Sequence, residues 1–425
     1  MRYASFFYLY FMQGVPSGFA LTAIANYLTE KGLSPETIGS FISIIGIPWI
    51  VQLIWGPLID RYRYSVVGHY KHWVVLTQLA AVLASLLLLL VHSPENEVWL
   101  LAFLFFAHSI VASIQDASVD AMAILITPAN EQGRVNAFMR GGLLLGISFG
   151  AAVLAVVLHD RGFRSAALIQ SGILLFFTLI FFVTKLNKTD PVLPRFKKLK
   201  TGVSGQGENE LQDHEEVQNP NKLSEIFIRL WKALTEKLSL RTFGIIALSY
   251  LCFSIFIRSL NFYLIRSLHW RAEELSVISG GWGSIITLTV VLTGGLLGDK
   301  IGAAKLQKRV LVLLAVFLLV FNFLLMMGVS KTVVTGGLLF WGIADPMYSI
   351  AAFPILMLIC SKDIAGSQFT AYMALINLSD IAGSYATGWL LNFVEGPVLG
   401  MTAGILLIFL AYYLYKIPAV MASTE

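Results

Sequence analysis

The chain has 425 residues, 57% of them hydrophobic and only 13% charged, with a formal net charge of +5. A soluble chain carries roughly a quarter charged residues, so this composition excludes an ordinary soluble enzyme, and the small positive excess reads as a topology signal rather than a nucleic-acid footprint. The apolar residues come in blocks of about 20 to 30, the length at which a helix crosses a bilayer, whereas barrel strands alternate and are only about ten residues long.

Twelve spans follow in chain order: about 4–28, 38–59, 72–92, 98–127, 135–158, 164–184, 243–265, 275–297, 308–328, 332–360, 367–392 and 397–417. The first begins almost at Met1 but is too long for the apolar region of a signal peptide, and it reads as an uncleaved helix. It carries Gln13 close to Pro16, a polar group placed to line a cavity. The second ends in "GPLIDRYRY", with Gly56, Asp60 and Arg61.

The fourth span contains "SIQDASVDAM". Asp116 and Asp120 are four apart and project from one helix face, with His108 and Ala112 continuing the stripe. A charge in hydrocarbon costs several kcal/mol and marks ion or substrate paths, so these acids are candidate proton carriers and substrate ligands. The alternative is a permanent ion pair that locks helices. The fifth span follows Arg134 and carries Arg140, then Gly142, Gly146 and Gly150 at four-residue spacing. Gly146 to Gly150 also spells Gly-x-Ser-x-Gly, but a nucleophile elbow needs a strand–turn–helix. Inside a span the pattern predicts a flat face for close helix packing.

Between the sixth and seventh spans lies "TGVSGQGENELQDHEEVQNPNK" (201–222), too polar to bury a core. It leads into "LSEIFIRLWKALTEKL", which reads as an amphipathic helix lying on the membrane surface. The seventh span holds Arg258 and Asn261, the tenth Asp345, the eleventh Asp380. A guanidinium keeps its proton and needs an anion; for Arg140 and Arg258 the candidates are Asp116, Asp120, Asp345, or an acidic group of a substrate. Trp55, Tyr348 and Tyr372 are candidates to stack on substrate or simply to pack. Cys252 and Cys360 read as small core residues. No metal-ligand cluster or phosphate loop appears, so neither a cofactor nor a metal is expected.

The chain also repeats. "GGLLGDKIG" after the eighth span gives Gly295, Asp299 and Lys300 at the position that Gly56, Asp60 and Arg61 hold after the second. Two six-helix halves joined by a polar linker are the plan of a carrier with parallel repeats: residues 1–185, a linker over 186–240, and 241–425. Lys and Arg counts place both termini and the linker in the cytoplasm.

This plan resembles the major facilitator superfamily, and the paired motifs resemble its signature loops. "YLYFMQGVPSGF" (8–19), "LSPETIGSFISIIGIPWIVQLIWGPLIDR" (33–61) and "SIQDASVDA" (113–121) resemble its muropeptide permease (AmpG) branch, although Met122, Ala123 and Ile124 replace the aromatic and basic residues usual after that last segment. The resemblance implies an alternating-access carrier in a bacterial inner membrane. It also implies that Asp60 and Asp299 gate the cytoplasmic end, the first with Arg134 as partner. The expectation is a monomeric, non-enzymatic, proton-coupled symporter importing cell-wall anhydromuropeptides. The alternatives are a siderophore or organic-anion permease, then a lipid flippase or a non-transporting receptor. Its partners would be the solute, H⁺ and membrane lipid, with no nucleic acid.

Overall fold

A computed structural model of the chain describes residues 2–61, 71–127, 132–184, 223–361 and 365–416. Among them are twelve helical rods, one short amphipathic helix and no strand. In hydrocarbon each backbone N–H and C=O must be bonded within its own segment, and uninterrupted apolar runs of Leu, Ile, Ala and Phe meet that condition as helices. The first span runs Arg2–Gly18, Phe19–Ile24 and Ala25–Glu30; the second Pro35–Arg61; the third Lys71–Leu87 and Leu88–Leu90; the fourth Val98–Ile126. The fifth comprises Gln132–Ser148, Phe149–Val153 and Leu154–Arg161, and the sixth is Phe163–Val183. The seventh is Lys237–Arg266, and the eighth joins Ala272–Leu275, Ser276–Trp282 and Gly283–Ile301. Ala303–Met326, Lys331–Leu358, Ala365–Leu390 and Gly396–Lys416 complete the set. Turns are set by chemistry: Gly162 and Gly302 take left-handed φ values of +80° and +84° between consecutive rods, a region where a Cβ is strained.

The buried apolar side chains separate by half. One cluster is drawn wholly from residues 246–411, and the two others from 6–181. Each six-helix half therefore owns its core. Among the described residues, eight rods are long and apolar enough to cross a bilayer. The first, second, eighth and eleventh rods all pack across or beside the seam between halves.

The first and fifth spans lie on each other along glycines. A Cβ at Gly142 would stand 2.1 Å from the Phe7 carbonyl oxygen, at Gly146 2.1 Å from that of Phe11, and at Gly150 2.0 Å from that of Val15. Gly14 and Gly18 meet the Leu143 and Ile147 carbonyls in return, at 2.3 and 2.1 Å. The four-residue glycine spacing is thus a backbone-to-backbone face, as expected. Just beyond it, π-helical stretches in the first (Phe19–Ile24), fifth (Phe149–Val153) and eighth (Ser276–Trp282) spans pack on one another. Such stretches interrupt the regular hydrogen-bond ladder and recur at functional sites.

The halves are joined at the end remote from the chain's first residues, here the distal end. Asn26 Nδ2 donates to Ser276 Oγ at 2.9 Å, Ser43 Oγ to the Ile381 carbonyl at 3.1 Å, and Ser148 Oγ to that of Gly281 at 3.0 Å. Farther out, Arg266 donates to the Leu33 carbonyl at 3.2 Å, Arg271 to His159 Nε2 at 2.8 Å, and the Ala272 N–H to Glu30 Oε1 at 3.3 Å. Gly39 and Gly388 let the second and eleventh spans approach along the same level. The amphipathic helix, Leu223–Thr235, buries Leu230 and turns Trp231 outward, 71% exposed.

Gly146→Val should overpack the first–fifth contact, at about 1–3 kcal/mol, and lower the detergent melting temperature. Gly172→Ala, whose Cβ meets nothing within 4 Å, should leave that temperature unchanged; equal effects would contradict the packing described. Asn26→Cys with Ser276→Cys, in a chain lacking the free cysteines Cys252 and Cys360, should cross-link the halves under mild oxidant. With a protease site inserted in 201–222, the cut halves should co-migrate until reduced. Separate migration would show that the distal end is not closed.

Candidate functional site

The site is built on the fourth span. Asp116 and Asp120 lie one turn apart there, both partly buried. Gln13 of the first span donates from Nε2 to Asp116 Oδ1 at 3.0 Å, and Gln52 of the second donates to Oδ2 at 2.5 Å. Each oxygen of that carboxylate thus has an amide donor from a different helix. One turn before Gln13, the Tyr10 hydroxyl donates to Asp120 Oδ1. The i, i+3 pair on the first span faces the i, i+4 pair on the fourth, which is the register two packed helices permit. Hydrogen bonds to a charged acceptor are roughly twice as strong as neutral ones, so these donors offset much of the desolvation that burial imposes. Trp55, one turn after Gln52, donates from Nε1 to Ser113 Oγ at 3.1 Å and fixes the second span against the fourth.

Arg140 completes the group from the fifth span. Its charge acts on both Asp116 and Asp120, and its side chain is exposed. Four helices of one half therefore converge two carboxylates, one guanidinium, two amides and a phenol. Among the described residues, with both acids ionised, one negative charge is left over, and a proton or a cationic group can neutralise it.

The remaining candidates fall elsewhere. His108 is buried with no hydrogen-bond partner for Nε2 among the described residues. It lies two turns and more from Asp116, about 12 Å along the helix, so it is not part of the cluster. Arg258 pairs with none of the acids expected for it among those whose side chains are described. Its Nη2 lies 3.8 Å from Asp380 Oδ2, and Nη1 donates to the Leu21 carbonyl at 3.2 Å. The eleventh span runs directly beside the seventh here, where Ser254 Oγ bonds the Asp380 carbonyl at 2.8 Å. That juxtaposition is why Asp380 is its partner. The side chain of Asp345 lies outside the described residues, as do those of Gly56, Asp60, Arg61, Arg134, Gly295, Asp299 and Lys300.

Tyr348 and Tyr372 are not stacking surfaces. Both are fully buried, their hydroxyls bonded to Ser249 at 3.0 Å and Ser239 at 2.5 Å, and they pack within their own half. Tyr10 and Gln52 were missing from the residues read from sequence. Gln52 interrupts an apolar run as Gln13 does, but so does Gln78, which is buried against Met12. Among the described residues no cluster of His, Cys, Asp and Glu is arranged to hold a metal.

Over residues 6–384 the chain matches the family model described as Major Facilitator Superfamily. It is 23% identical over 416 residues to the anhydromuropeptide permease of Escherichia coli K12, covering 93% of this chain and 74% of that protein. It is 24% identical to the putative transporter AmpG 3 of Rickettsia prowazekii, covering 93% and 86%. Among solved structures, the inward-open xylose transporter XylE of E. coli superposes with a TM-score of 0.71 at 13% identity, over 99% of this chain and 98% of that one. At that identity the likeness shows the fold. The matched span runs from the first rod into the eleventh, and the chain belongs to the Major Facilitator Superfamily of membrane transporters.

Proposed function

We propose that this transporter is a proton-coupled symporter that imports a small organic solute by alternating access. The observation that carries the coupling is the charge count at the fourth span among the described residues: Asp116 and Asp120 against the guanidinium of Arg140. Intramembrane acids with an uncompensated charge are the usual form of a proton path. Gln13, Gln52 and Tyr10 hold the carboxylates in place, so that protonation, not movement of the acids, changes the site. Loss of the extra charge on protonation, or its neutralisation by solute, lowers the barrier to closing the site away from water.

Cell-wall anhydromuropeptides are the solute we assign, supported by relatives of that name that align over nearly the whole chain. The exposed Arg140 favours a second reading, a permease for siderophores or other organic anions, since a guanidinium binds carboxylates well. The excess of Lys and Arg in the linker supports cytoplasmic termini. On this reading the distal end faces outward in a bacterial inner membrane, and the hydrogen bonds across the distal seam support an inward-facing state. Gly56, Asp60 and Arg61 with Arg134, and Gly295, Asp299 and Lys300, would form the opposite gate, closed when the distal seam opens.

Spheroplasts expressing the chain should accumulate labelled anhydromuropeptide, and a protonophore should abolish the accumulation. Asp116→Asn and Asp120→Asn should each reduce uptake to the protonophore-treated level while the protein remains inserted. Undiminished gradient-driven uptake in both variants would exclude the coupling role. For sidedness, a membrane-impermeant maleimide added to spheroplasts should label Asn96→Cys at the distal end. It should label Lys237→Cys only after lysis; the reverse pattern would invert the topology.

A further inference from the structure

The outermost contacts of the distal seam include a titratable side chain. His159 stands in the last turn of the fifth span, within Leu154–Arg161, and Arg271 immediately precedes the first helical turn of the eighth, Ala272–Leu275. They belong to opposite halves, and Arg271 Nη2 lies 2.8 Å from His159 Nε2. A guanidinium carries only donors and keeps its proton. His159 Nε2 must therefore be the acceptor, with the ring proton on Nδ1 and the imidazole uncharged. A protonated imidazole has a donor on each nitrogen, and it would set N–H against N–H across that contact. Protonation of His159 and this bond between the halves exclude each other.

The charges around His159 do not restore the link. Glu273 Oε2 lies 3.9 Å from Nε2, too far for a hydrogen bond, and it is already bonded to Arg271 of its own half. A carboxylate shared with a prior partner at a wet surface attracts an imidazolium only weakly. Glu30 of the first span accepts from the Ala272 N–H at 3.3 Å, and Glu274 is paired with Lys331 of the tenth span at 2.5 Å. Lys31 of the first span lies over the Tyr27 ring. Asp160 and Arg161, beside His159 on the fifth span, and Arg164 on the sixth, which packs against it, are all exposed. The His159 side chain is itself 46% accessible, so water on the distal side can exchange protons with it directly.

We infer that His159 is a proton-operated latch on the distal seam. Uncharged, it accepts from Arg271 and ties the halves together; protonated, it releases Arg271, and the seam parts more readily. An imidazole changes charge between about pH 5 and 8, so the latch is shut in alkaline water on the distal side and loosened in acid. Only its consequence rests on the transport reading above. With the distal end outward, an acidic exterior favours the state in which Asp116 and Asp120 are open to that exterior. The proton on His159 stays at the surface and is not carried across, which makes His159 a positioning residue for the seam, separate from the acids.

Spin labels at the distal end of each half test this, at Asn96→Cys and Met327→Cys, both exposed positions, in a full-length chain lacking Cys252 and Cys360. The readout is the distance distribution between the labels in detergent, with no solute added. From about pH 8 to about pH 5.5, across the imidazole range, the ratio of long to short distances should rise about fivefold, the effect of one net hydrogen bond. Asp116 and Asp120 can respond to pH as well, so the latch is read from variants. His159→Gln, whose amide oxygen accepts from Arg271 and cannot titrate, should lose that fivefold part of the rise. His159→Lys, charged at both pH values, should keep the long distances populated at both. Arg271→Leu removes the donor and should do the same, and it provides the test should His159→Lys not fold. An identical pH response in wild type and His159→Gln would overturn the latch. So would shortening in acid that needs His159, which would mean that Glu273 captures the imidazolium, or variants without the contact that are as closed at pH 8 as the wild type. A chain with the His159-dependent shift but no proton-coupled uptake supports the latch and overturns the transport reading. Proton-coupled uptake without the shift overturns the latch alone.

Discussion

A carboxylate in a membrane helix needs donors, and the first half of this protein is arranged to bring them to Asp116 and Asp120. Gln13 and Tyr10 reach across from the first span, Gln52 from the second, and Arg140 acts from the fifth. None of these groups could serve if its helix were displaced by a few ångströms, because hydrogen bonds fail beyond about 3.5 Å. The backbone contact of the first and fifth spans along Gly14, Gly18, Gly142, Gly146 and Gly150 is therefore tied to the chemistry. It holds the Gln13 helix at a fixed distance from the Arg140 helix.

The two halves differ from their interiors in what holds them. Within each half, large apolar clusters interdigitate, with Phe19, Phe41 and Phe105 in one and Phe253, Phe256 and Trp341 in the other. Between the halves, the distal contacts are small residues and single hydrogen bonds, several of them to backbone carbonyls. A net hydrogen bond contributes about 1 kcal/mol, far less than a buried aromatic core. A seam of this kind can part without disturbing either half. The three π-helical stretches meet at this seam, where the regular backbone ladder is already interrupted.

Arg258 links these features. It sits in the C-terminal half, pairs with Asp380 of the same half, and bonds the Leu21 carbonyl of the other half inside the first span's π-helical stretch. Parting of the seam would break the Leu21 bond and leave the Asp380 pair, which keeps the guanidinium compensated. An unpaired cation would be far more costly in the same place.

Much of this was legible in the sequence. Block length and composition determined a helical membrane protein, the repeated Gly-x-x-x-Asp motif determined two halves, and four-residue spacings determined both the acidic stripe and the glycine face. These are periodic properties of single helices, and a helix carries its own period in its sequence. Gln13 was recognisable as a polar group in an apolar run, but that signal does not separate Gln52, which binds Asp116, from Gln78, which only fills the core. Pairing of Arg258 with Asp380, bonding of Tyr10 to Asp120, and burial of Tyr348 and Tyr372 were decided by the tertiary structure alone. Each depends on which face of one helix meets which face of another, and residues as far apart as 10 and 120, or 258 and 380, share no local pattern that could record it.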